Sequence, residues 1–297
     1  MTDPFASIEH VQAALAAQDY FADRPIATTV FLAQRLGKPL FLEGEAGVGK
    51  TEIAKVLARV LNTRLIRLQC YEGLDASHAL YEWNYPKQLL RIRMGEGSRA
   101  DDLGREIFGE EYLIRRPLLD AITPNGAVPP VLLIDEIDRA DEEFEAFLLE
   151  VLSDFQVTIP ELGTIRADHP PLVILTSNRT REINDALKRR CLYLWVPYPS
   201  FERELEILLA KVPELDAGLA RQIAAFMQMV RHEDYYKRPG VAESIDWGRA
   251  LVALHRDALD PEVVEDTLGT IFKYSDDIEA IRAAGIATML ERASIAV

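Results

Sequence analysis

The feature of this 297-residue chain that most constrains its fold is a glycine-rich loop set between an apolar run and a helical pattern. The apolar run covers residues 39–42, and the loop at residues 44–51 has the sequence GEAGVGKT. The apolar residues after it recur at helical spacing, at Ile53, Val56, Leu57, Val60 and Leu61. This order predicts a strand, a loop and a helix, in which the loop N–H groups and the helix start together favour a bound phosphate.

Each residue of the loop has a predicted task. Gly44 and Gly49 allow backbone angles and close approaches that a side chain would block. Lys50 is predicted to reach the β- and γ-phosphates of a nucleotide, and Thr51 to offer its hydroxyl to Mg²⁺. The other loop residues, whose backbone N–H groups complete the cradle, are Glu45, Ala46, Gly47 and Val48. The competing interpretation is an ordinary glycine-rich turn ahead of a helix.

A second buried run ends in two acids. Residues 131–134 are VLLI, which is typical of a central parallel strand buried on both faces, and Asp135 and Glu136 follow it. Because ligands of open α/β sheets bind at the carboxyl ends of strands, Asp135 is predicted to hold Mg²⁺ together with Thr51. Glu136 is predicted to accept a proton from the attacking water. Without the glycine-rich loop, two acids that cap the following helix would be the simpler interpretation.

A third buried run, at residues 172–175, ends close to an asparagine. Asn178 is therefore expected at the same sheet edge as Asp135, where its amide could position the attacking water. Taken alone, an asparagine after a strand is usually only a turn residue.

A short helix predicted over residues 181–190 closes on the basic pair Arg189 and Arg190. Basic residues in a last turn complement the helix dipole, with or without a function. Further strands are expected at residues 64–70 and 192–196. With the runs above, the pattern predicts an α/β fold built on a five-stranded parallel sheet.

Two helices are expected ahead of the glycine-rich loop, separated by a break at residues 20–25. The apolar positions of residues 5–36 repeat at helical spacing on both sides of that break. Tyr20 and Ile26 are candidates for an adenine slot because they precede a phosphate-binding loop. Packing in the core is the more common role of such residues.

Residues 71–130 resist a simple assignment and are expected to carry insertions. They begin with a helical pattern over residues 71–80, after which come an aromatic stretch and a glycine-rich stretch of mixed charge. Insertions held by a rigid frame are where partner contacts concentrate. After an acidic helix over residues 141–152, alternation around a Glu-Leu-Gly turn predicts a hairpin over residues 154–167.

Everything after Ser200 is predicted to be helical, apart from a loop over residues 234–246. Ser200 is a good N-cap, and the apolar residues that follow recur at helical spacing with no further strand pattern. We therefore expect an α/β domain over residues 1–197 and a separate helical domain over residues 198–297.

The charge balance argues against nonspecific nucleic-acid binding. The chain has 48 Asp plus Glu against 33 Lys plus Arg, a formal net charge of −15. Such a field repels a polyanion unless a concentrated basic patch overcomes it. One candidate patch comprises Lys87, Arg91, Arg93, Arg99, Arg105, Arg115 and Arg116. Acids are interleaved with these residues, which favours scattered, solvated cations.

The amino terminus and the cysteines favour a cytoplasmic protein. The first ten residues have no basic segment leading into an apolar one, so a secretory signal is not expected, and no run is long enough to span a bilayer. Cys70 and Cys191 are too few for a disulfide framework. Both adjoin apolar runs, which predicts small buried thiols.

Taken together, these motifs resemble the AAA+ ATPases, and the likeness covers nearly the whole chain. It rests on the glycine-rich loop, on LLIDE at residues 132–136, on TSN at residues 176–178, on the terminal basic pair and on the helical region. Within that superfamily, four phrases are similar to the MoxR family, in particular to its branch that accompanies molybdenum-containing carbon monoxide dehydrogenases. These phrases are LFLEGEAGVGKTEIAKVLA, LQCYEGLD, YEWNY and ALKRRC.

The resemblance implies a role for individual residues. Residues 44–51 match the Walker A loop, and residues 132–136 carry Walker B. Asn178 matches sensor 1. Either Arg189 or Arg190 matches the arginine finger that reaches the nucleotide of a neighbouring subunit.

The resemblance also implies how the chain assembles and what it contacts. Arg249 matches sensor 2 in a helical lid, although a surface helix arginine is its local alternative. Residues 71–94 correspond to the helix-2 insert, and residues 154–167 to the hairpin before sensor 1. The family is hexameric, uses ATP and Mg²⁺, and typically acts with a partner that bears a von Willebrand factor A domain.

The leading hypothesis is an ATP-hydrolysing protein remodeller that matures a metalloenzyme, such as a molybdenum hydroxylase like carbon monoxide dehydrogenase. The alternatives are a nucleic-acid-stimulated motor of the same fold and a small-molecule kinase. The acidic total and the absence of a recognisable DNA-binding module argue against the motor. A kinase gives no reason for the sensor residues or for a helical lid after the fifth strand.

Overall fold

The computed structural model describes residues 3–94, 104, 106–123 and 128–295, and the chain divides into two compact units. The first unit comprises Met1–Ala14, Arg24–Glu43 and Thr51–Trp195, and the second comprises Leu15–Asp23, Gly44–Lys50 and Val196–Val297. The glycine-rich loop up to Lys50 therefore belongs to the second unit, whereas Thr51 belongs to the first.

All strands of the described residues lie in the first unit. In chain order they are β1 (Leu40–Glu43), β2 (Leu65–Gln69), β3 (Tyr81–Trp83), β4 (Leu113–Arg115), β5 (Val131–Asp135), β6 (Gln156–Ile159), β7 (Gly163–Arg166), β8 (Leu172–Ser177) and β9 (Leu192–Trp195). Five of them form a parallel sheet in the order β2-β5-β8-β1-β9. The predicted five-stranded parallel sheet is therefore confirmed.

The central position of β5 explains its apolar sequence. Leu132 pairs in register with Ile66 on one side and Val173 on the other, and all three side chains are buried. A strand buried on both faces has no solvent-facing position to fill with polar residues. Its first polar residues stand at its carboxyl end, next to the corresponding ends of β2 and β8.

Helices and two short 3₁₀ helices complete the first part of the chain. The helices are α1 (Ile8–Ala16), α2 (Arg24–Leu36), α3 (Lys50–Val60), α4 (Ala76–Ala79), α5 (Tyr85–Met94), α6 (Pro117–Ile122), α7 (Glu142–Asp154) and α8 (Asp185–Arg190). The 3₁₀ helices cover Glu110–Tyr112 and Ile137–Arg139. The core of the first unit joins Phe41 of β1, Leu132 of β5 and Phe144 of α7.

The segment after β2 differs from its prediction. Only Ala76–Ala79 is helical, so the predicted helix over residues 71–80 is wrong for its first half. Asp75 caps this helix by accepting a hydrogen bond from the backbone N–H of His78. The chain then forms β3, which pairs antiparallel with β4. The hairpin predicted over residues 154–167 is confirmed as β6 and β7.

The second unit carries the remaining helices, α9 (Phe201–Lys211), α10 (Ala217–His232), α11 (Val241–Ala253), α12 (Pro261–Ile271), α13 (Ser275–Ala284) and α14 (Ile286–Ile295). Their core includes Phe226, Trp247 and Phe272, all fully buried. The indole Nε1 of Trp247 donates to the Thr267 hydroxyl over 2.8 Å, so the largest core side chain leaves no polar atom unpaired. Among the described residues, no helix has the length and apolar composition that crossing a bilayer requires.

Two predicted helix boundaries are wrong. The loop expected over residues 234–246 ends at Gly240, because α11 already begins at Val241. Its start is stabilised by Glu243, whose carboxylate accepts from the Gly240 N–H over 2.9 Å. The helix expected over residues 181–190 begins only at Asp185, where the Asn184 side chain caps it.

Candidate functional site

The glycine-rich loop folds closely on other backbone segments of the second unit. Gly47 has a φ angle of +77°, which residues with a side chain rarely adopt. A Cβ on Gly44 would lie 2.3 Å from the carbonyl oxygen of Val196, so no larger residue fits there. The Nζ of Lys50 donates to the carbonyl oxygens of Gly44 and Glu45, over 2.6 Å in each case. The predicted need for glycine thus has a steric cause at Gly44, and Gly49, with a φ angle of +94°, has the backbone conformation that glycine favours.

The amino terminus of α11 binds the backbone of this loop. The N–H groups of Val241 and Ala242 donate to the carbonyl oxygen of Gly47 over 3.0 and 3.3 Å. A Cβ on Gly240 would lie 2.7 Å from both the Ala46 carbonyl oxygen and the Gly47 Cα. The first turn of α11 therefore contacts the loop at main-chain distance, which only a glycine at position 240 permits.

A buried ion pair holds the segment that precedes α11. Both terminal guanidinium nitrogens of Arg231 donate to the Glu204 carboxylate, over 2.6 and 2.7 Å, and both side chains are buried. The Nε of Arg231 donates to the carbonyl oxygen of Pro239 over 2.8 Å. Since a buried guanidinium with a hydrogen bond on each of its three nitrogens is held in one geometry, Arg231 fixes Pro239 and with it the neighbouring Gly240.

Substituting Gly240 by Ala is expected to lower protein stability and weaken nucleotide binding. The added methyl group would overlap backbone atoms of Ala46 and Gly47, and overpacking of this kind costs about 1–3 kcal/mol. Thermal unfolding and titration with a fluorescent nucleotide measure the two effects. Gly269→Ala in α12 is the matched control, because nothing lies within 4 Å of its added Cβ. Equal melting temperatures and affinities for the two variants would contradict the expectation.

In the first unit, the Asp135 carboxylate accepts hydrogen bonds on both oxygens. Its side chain is only 3% exposed. Oδ1 accepts from the hydroxyl of Thr51 over 3.0 Å and from that of Thr176 over 2.6 Å. Oδ2 accepts from Nε and Nη2 of Arg67, over 3.0 and 2.6 Å. The two predicted magnesium ligands, Thr51 and Asp135, are thus in direct contact.

The Glu136 carboxylate is more open and has two amide donors. Gln69 Nε2 donates to Oε2 over 3.0 Å, and Asn178 Nδ2 donates to Oε1 over 3.2 Å. Glu136 has a φ angle of +55°, an uncommon conformation for a residue with a side chain. Its N–H donates to the Thr176 hydroxyl over 2.9 Å, which helps to hold this backbone in place. The predicted base and the predicted water-positioning amide are therefore neighbours.

Asp138 positions the asparagine. Its buried carboxylate accepts from the backbone N–H of Asn178 over 3.2 Å. It also accepts from the N–H and the hydroxyl of Thr180, over 2.8 and 2.7 Å. These bonds join the 3₁₀ helix after β5 to the segment after β8. The orientation of Asn178 toward Glu136 is thus set by a carboxylate that takes no direct part in that contact.

A cavity of about 860 Å³ in the first unit lies against Glu136. Its charged lining is mixed: the acids are Glu72, Glu136, Asp138, Asp141, Glu142 and Glu182, and the cations are Arg139 and Arg181. Cys70 also lines it, and burial raises the pKa of this thiol to about 12, with the Asp135 charge adding to the effect. Cys70 is therefore protonated at neutral pH and is no nucleophile.

The two candidate finger residues differ in their surroundings. Arg190 donates through Nε to the Ser153 hydroxyl over 2.7 Å and through Nη1 to the Ala186 carbonyl oxygen over 3.3 Å. The Arg189 side chain is exposed, and within the described ranges no hydrogen bond or ion pair engages it. Both arginines are exposed, and Arg189 is the one whose side chain makes no such contact within those ranges.

Arg249 lies well along α11 and away from the helix end that contacts the glycine-rich loop. Eight residues separate it from Val241, which corresponds to about 12 Å along a helix axis. It is exposed and forms an ion pair with Asp246 over 3.5 Å. This placement matches the local alternative of a surface helix arginine.

The adenine candidates lie in different units. Tyr20 is half-buried in the second unit, and its Cε2 atom would be 3.9 Å from a Cβ on Gly49. Ile26 is buried on the apolar face of α2 in the first unit, together with Ala27 and Val30. Its burial fits the packing alternative, whereas Tyr20 lies beside the glycine-rich loop.

The arginine-rich segment is largely neutralised. Ion pairs join Lys87 to Glu111, Arg91 to Glu106, Arg115 to Glu110 and Arg116 to Glu82. Arg99 and Arg105 lie outside the described residues. Pairing of this kind favours the solvated-cation interpretation over a phosphate-binding stripe.

The sequence analysis missed Arg67, Gln69 and Asp138. Arg67 and Gln69 stand on β2, the strand next to β5 in the sheet. The one signal for them is a polar residue at the carboxyl end of a strand, which Gln69 provides. Asp138 has no comparable signal, because it follows Asp135 and Glu136 in a run of charged residues.

Comparison with known families gives one match over just over half of the chain. The family model of the AAA domain, dynein-related subfamily, matches residues 39–191. The matched range runs from the start of β1 to the residue before β9. It thus includes the whole glycine-rich loop and the polar ends of β2, β5 and β8.

Individual proteins are similar over most of their length. The uncharacterized protein SH1500 of Staphylococcus haemolyticus is 27% identical over 226 residues, which cover 74% of this chain and 77% of that protein. The denitrification regulatory protein NirQ of Pseudomonas aeruginosa is 23% identical over 241 residues, covering 77% and 80%. Among solved structures, the Thermotoga maritima RuvB Holliday junction branch migration motor aligns with a TM-score of 0.46 and 16% identity, over 89% of this chain and 71% of that one.

Proposed function

Since the chain belongs to the AAA domain family, dynein-related subfamily, we propose that it is an ATPase that uses hydrolysis to remodel another protein. The observation that carries the proposal is the cluster at the ends of β2, β5 and β8. There Thr51 touches Asp135, and Asn178 touches Glu136. The glycine-rich loop, residues 44–51, supplies the backbone groups and Lys50 for the phosphates.

The donors at the end of β5 fit Mg²⁺, a hard cation that prefers oxygen ligands. Thr51 offers a hydroxyl and Asp135 a carboxylate, and their contacting oxygens lie 3.0 Å apart. The other oxygen of Asp135 already accepts a hydrogen bond from a cation, the guanidinium of Arg67. Thr51 and Asp135 would hold the ion, which when bound neutralises charge on the β- and γ-phosphates.

Glu136 acts as the general base in this proposal. Its carboxylate accepts the proton of the attacking water, and the Asn178 amide, 3.2 Å away, orients that water. Asp138 keeps the asparagine in place through its backbone N–H. Gln69 occupies the other carboxylate oxygen and so leaves Oε1 as the oxygen shared with the asparagine.

A second copy of the chain completes the proposed site. Arg189 is exposed and forms no hydrogen bond or ion pair within the described ranges, so it is available to a neighbouring molecule. An arginine that reaches the γ-phosphate of a neighbouring subunit stabilises the charge of the transition state. We therefore propose a ring, with six subunits as the MoxR resemblance implies. Arg249 remains a sensor candidate only through that resemblance.

The contact between Gly47 and α11 supports a role for the helical region, residues 198–297, as a lid that responds to nucleotide. A phosphate bound by the loop would act on a backbone whose Gly47 carbonyl oxygen already accepts from Val241 and Ala242. A movement of the loop on nucleotide binding would therefore be transmitted directly to the start of α11. The insert at residues 71–94 and the hairpin at residues 154–167 are the proposed client-contacting segments.

The finer proposal names the client class. The MoxR-like phrases favour maturation of a metalloenzyme, such as a molybdenum hydroxylase like carbon monoxide dehydrogenase, with a von Willebrand factor A domain partner. The paired cations of the arginine-rich segment speak against the alternative, a nucleic-acid-stimulated motor.

Turnover of ATP by the purified chain tests the proposal. We expect Mg²⁺-dependent release of phosphate, and loss of both binding and turnover in Lys50→Met, because the loop then lacks its cation for the phosphates. Lys55→Met is the matched control, since Lys55 is exposed on the same helix and pairs only with Glu52 in the described structure. Equal phosphate release by both variants, or none by the wild-type chain under any assembly state, would overturn the proposal.

A further inference from the structure

A guanidinium stands against the carboxylate that the proposed function assigns to the metal. Arg67 donates twice to Oδ2 of Asp135, through Nε over 3.0 Å and through Nη2 over 2.6 Å. The other oxygen, Oδ1, is shared by the hydroxyls of Thr51 and Thr176. Arg67 therefore supplies the positive charge at Asp135 in the described structure.

Arg67 also reaches the second carboxylate of the site through one intermediate. Its Nη2 donates to Oε1 of Gln69, and Nε2 of Gln69 donates to Oε2 of Glu136 over 3.0 Å. The guanidinium thus connects the carboxylate assigned to the metal with the carboxylate assigned to the water. A movement of Arg67 would change the partners of both.

Burial explains why Asp135 needs a cation. Its side chain is 3% exposed, and an ionised carboxylate withdrawn from water is costly unless a charge and hydrogen bonds compensate it. The Arg67 side chain is 51% exposed, so its guanidinium can return to solvent without losing much packing. Asp135 is therefore held in place, whereas the Arg67 guanidinium can move away into solvent.

A divalent cation and a guanidinium repel one another when they share one carboxylate. At separations of a few ångströms, this repulsion amounts to several kcal/mol for each pair of unit charges at a surface-like dielectric constant. If Thr51 and Asp135 held Mg²⁺, the hydrogen bonds from Arg67 to Asp135 would therefore be weakened.

We propose that Arg67 is the resident counter-cation of Asp135, which stabilises the metal-free site and is displaced when Mg²⁺ and nucleotide bind. This inference rests on the proposed function for its nucleotide. Arg67 is a positioning residue that sets how much Mg²⁺ the site requires. When Arg67 leaves, Gln69 is free to rearrange beside Glu136. The hydrogen bonds of Glu136, the proposed base, would therefore change only once Mg²⁺ is bound.

The test is the Mg²⁺ dependence of nucleotide binding by Arg67→Met, which keeps an apolar stem but removes the charge. Binding of N-methylanthraniloyl-ATP is followed by fluorescence while Mg²⁺ is titrated into protein prepared in EDTA. Without its competitor, Mg²⁺ should reach half-effect at about a tenfold lower concentration. In EDTA the same variant should bind the nucleotide more weakly, because the bare carboxylate repels the phosphates.

Arg64→Met is the matched control, because Arg64 is exposed just before β2 and pairs with Asp120, away from the site carboxylates. Its Mg²⁺ midpoint should equal that of the wild-type chain. Arg67→Lys keeps the charge but has fewer hydrogen-bond donors. Its Mg²⁺ midpoint should lie between those of the wild-type chain and Arg67→Met. A midpoint for Arg67→Met that is unchanged or higher overturns the proposal.

A second readout separates this inference from the proposed function. Thermal unfolding of the nucleotide-free protein is measured in EDTA and in Mg²⁺. Arg67→Met should melt at a lower temperature than wild type in EDTA and should gain more from Mg²⁺. If wild type binds no nucleotide, the proposed function fails, yet the larger gain by Arg67→Met would still support the counter-cation. Equal gains would overturn it.

Discussion

Replacing Glu136 by Gln is expected to slow ATP hydrolysis by about 10²- to 10⁴-fold while nucleotide binding is retained. The amide has nearly the size of the carboxylate, and its oxygen can still accept from one of the two amide donors, Gln69 or Asn178. It cannot accept the proton of the attacking water at neutral pH. Single-turnover hydrolysis and titration with a fluorescent nucleotide separate the chemical step from binding.

Glu142→Gln is the matched control for this prediction. Glu142 lines the same cavity, is exposed and stands in the first turn of α7. It should keep turnover within a factor of about two, since it lies outside the proposed catalytic cluster. Wild-type turnover by Glu136→Gln would rule out Glu136 as the base. A Glu136→Gln protein that holds ATP is also suited to co-purifying the client, which tests the metalloenzyme proposal.

The sequence predicts the central sheet well because strand ends are local features. Strands β1, β5 and β8 begin with the apolar runs 40–42, 131–134 and 172–175, and they end in polar residues at Glu43, Asp135 and Ser177. In a parallel sheet all carboxyl ends lie at one edge, so each stop can be assigned to that edge without knowledge of the strand order. The contact of Thr51 with Asp135 agrees with this reasoning.

The partners on β2 could not be predicted in the same way. The importance of Arg67 depends on β2 being the neighbour of β5, which is a property of the folded sheet. In the sequence, Arg67 is one polar residue between the apolar residues Ile66 and Leu68, as on any half-exposed strand. A contact between residues 68 positions apart leaves no local pattern.

The start of α11 could not be predicted from the sequence for a related reason. Residues 234–240 contain polar residues, a proline and a glycine, and the predicted loop was extended through the acidic residues that follow. The helix begins earlier because the Glu243 carboxylate accepts from the Gly240 N–H, and because the first N–H groups bind the Gly47 carbonyl oxygen. Gly47 lies almost 200 residues away in the chain. Its carbonyl oxygen accepts from N–H groups at the helix start, and no sequence pattern reveals that partner.

Replacing Arg189 by Ala is expected to lower ATP turnover by about 10³- to 10⁵-fold without loss of nucleotide binding. The side chain is exposed and makes no hydrogen bond or ion pair with the described part of its own chain, so its removal leaves no buried partner uncompensated. Stability should therefore stay unchanged. Arg190→Ala is the matched control and should show a smaller loss of turnover, because Arg190 is tied to Ser153 and Ala186.

Co-expression of two inactive variants decides whether Arg189 acts on a neighbouring subunit. A subunit with Arg189→Ala keeps its base, and a subunit with Glu136→Gln keeps its finger. Where the second adjoins the first in a ring, one complete site forms, so mixed assemblies should regain turnover that neither variant has alone. Phosphate release is measured across a range of mixing ratios, with size-exclusion chromatography to show that assemblies persist. Turnover that never exceeds the sum of the separate variants would mean that Arg189 serves its own subunit, or that the base and the arginine belong to different sites.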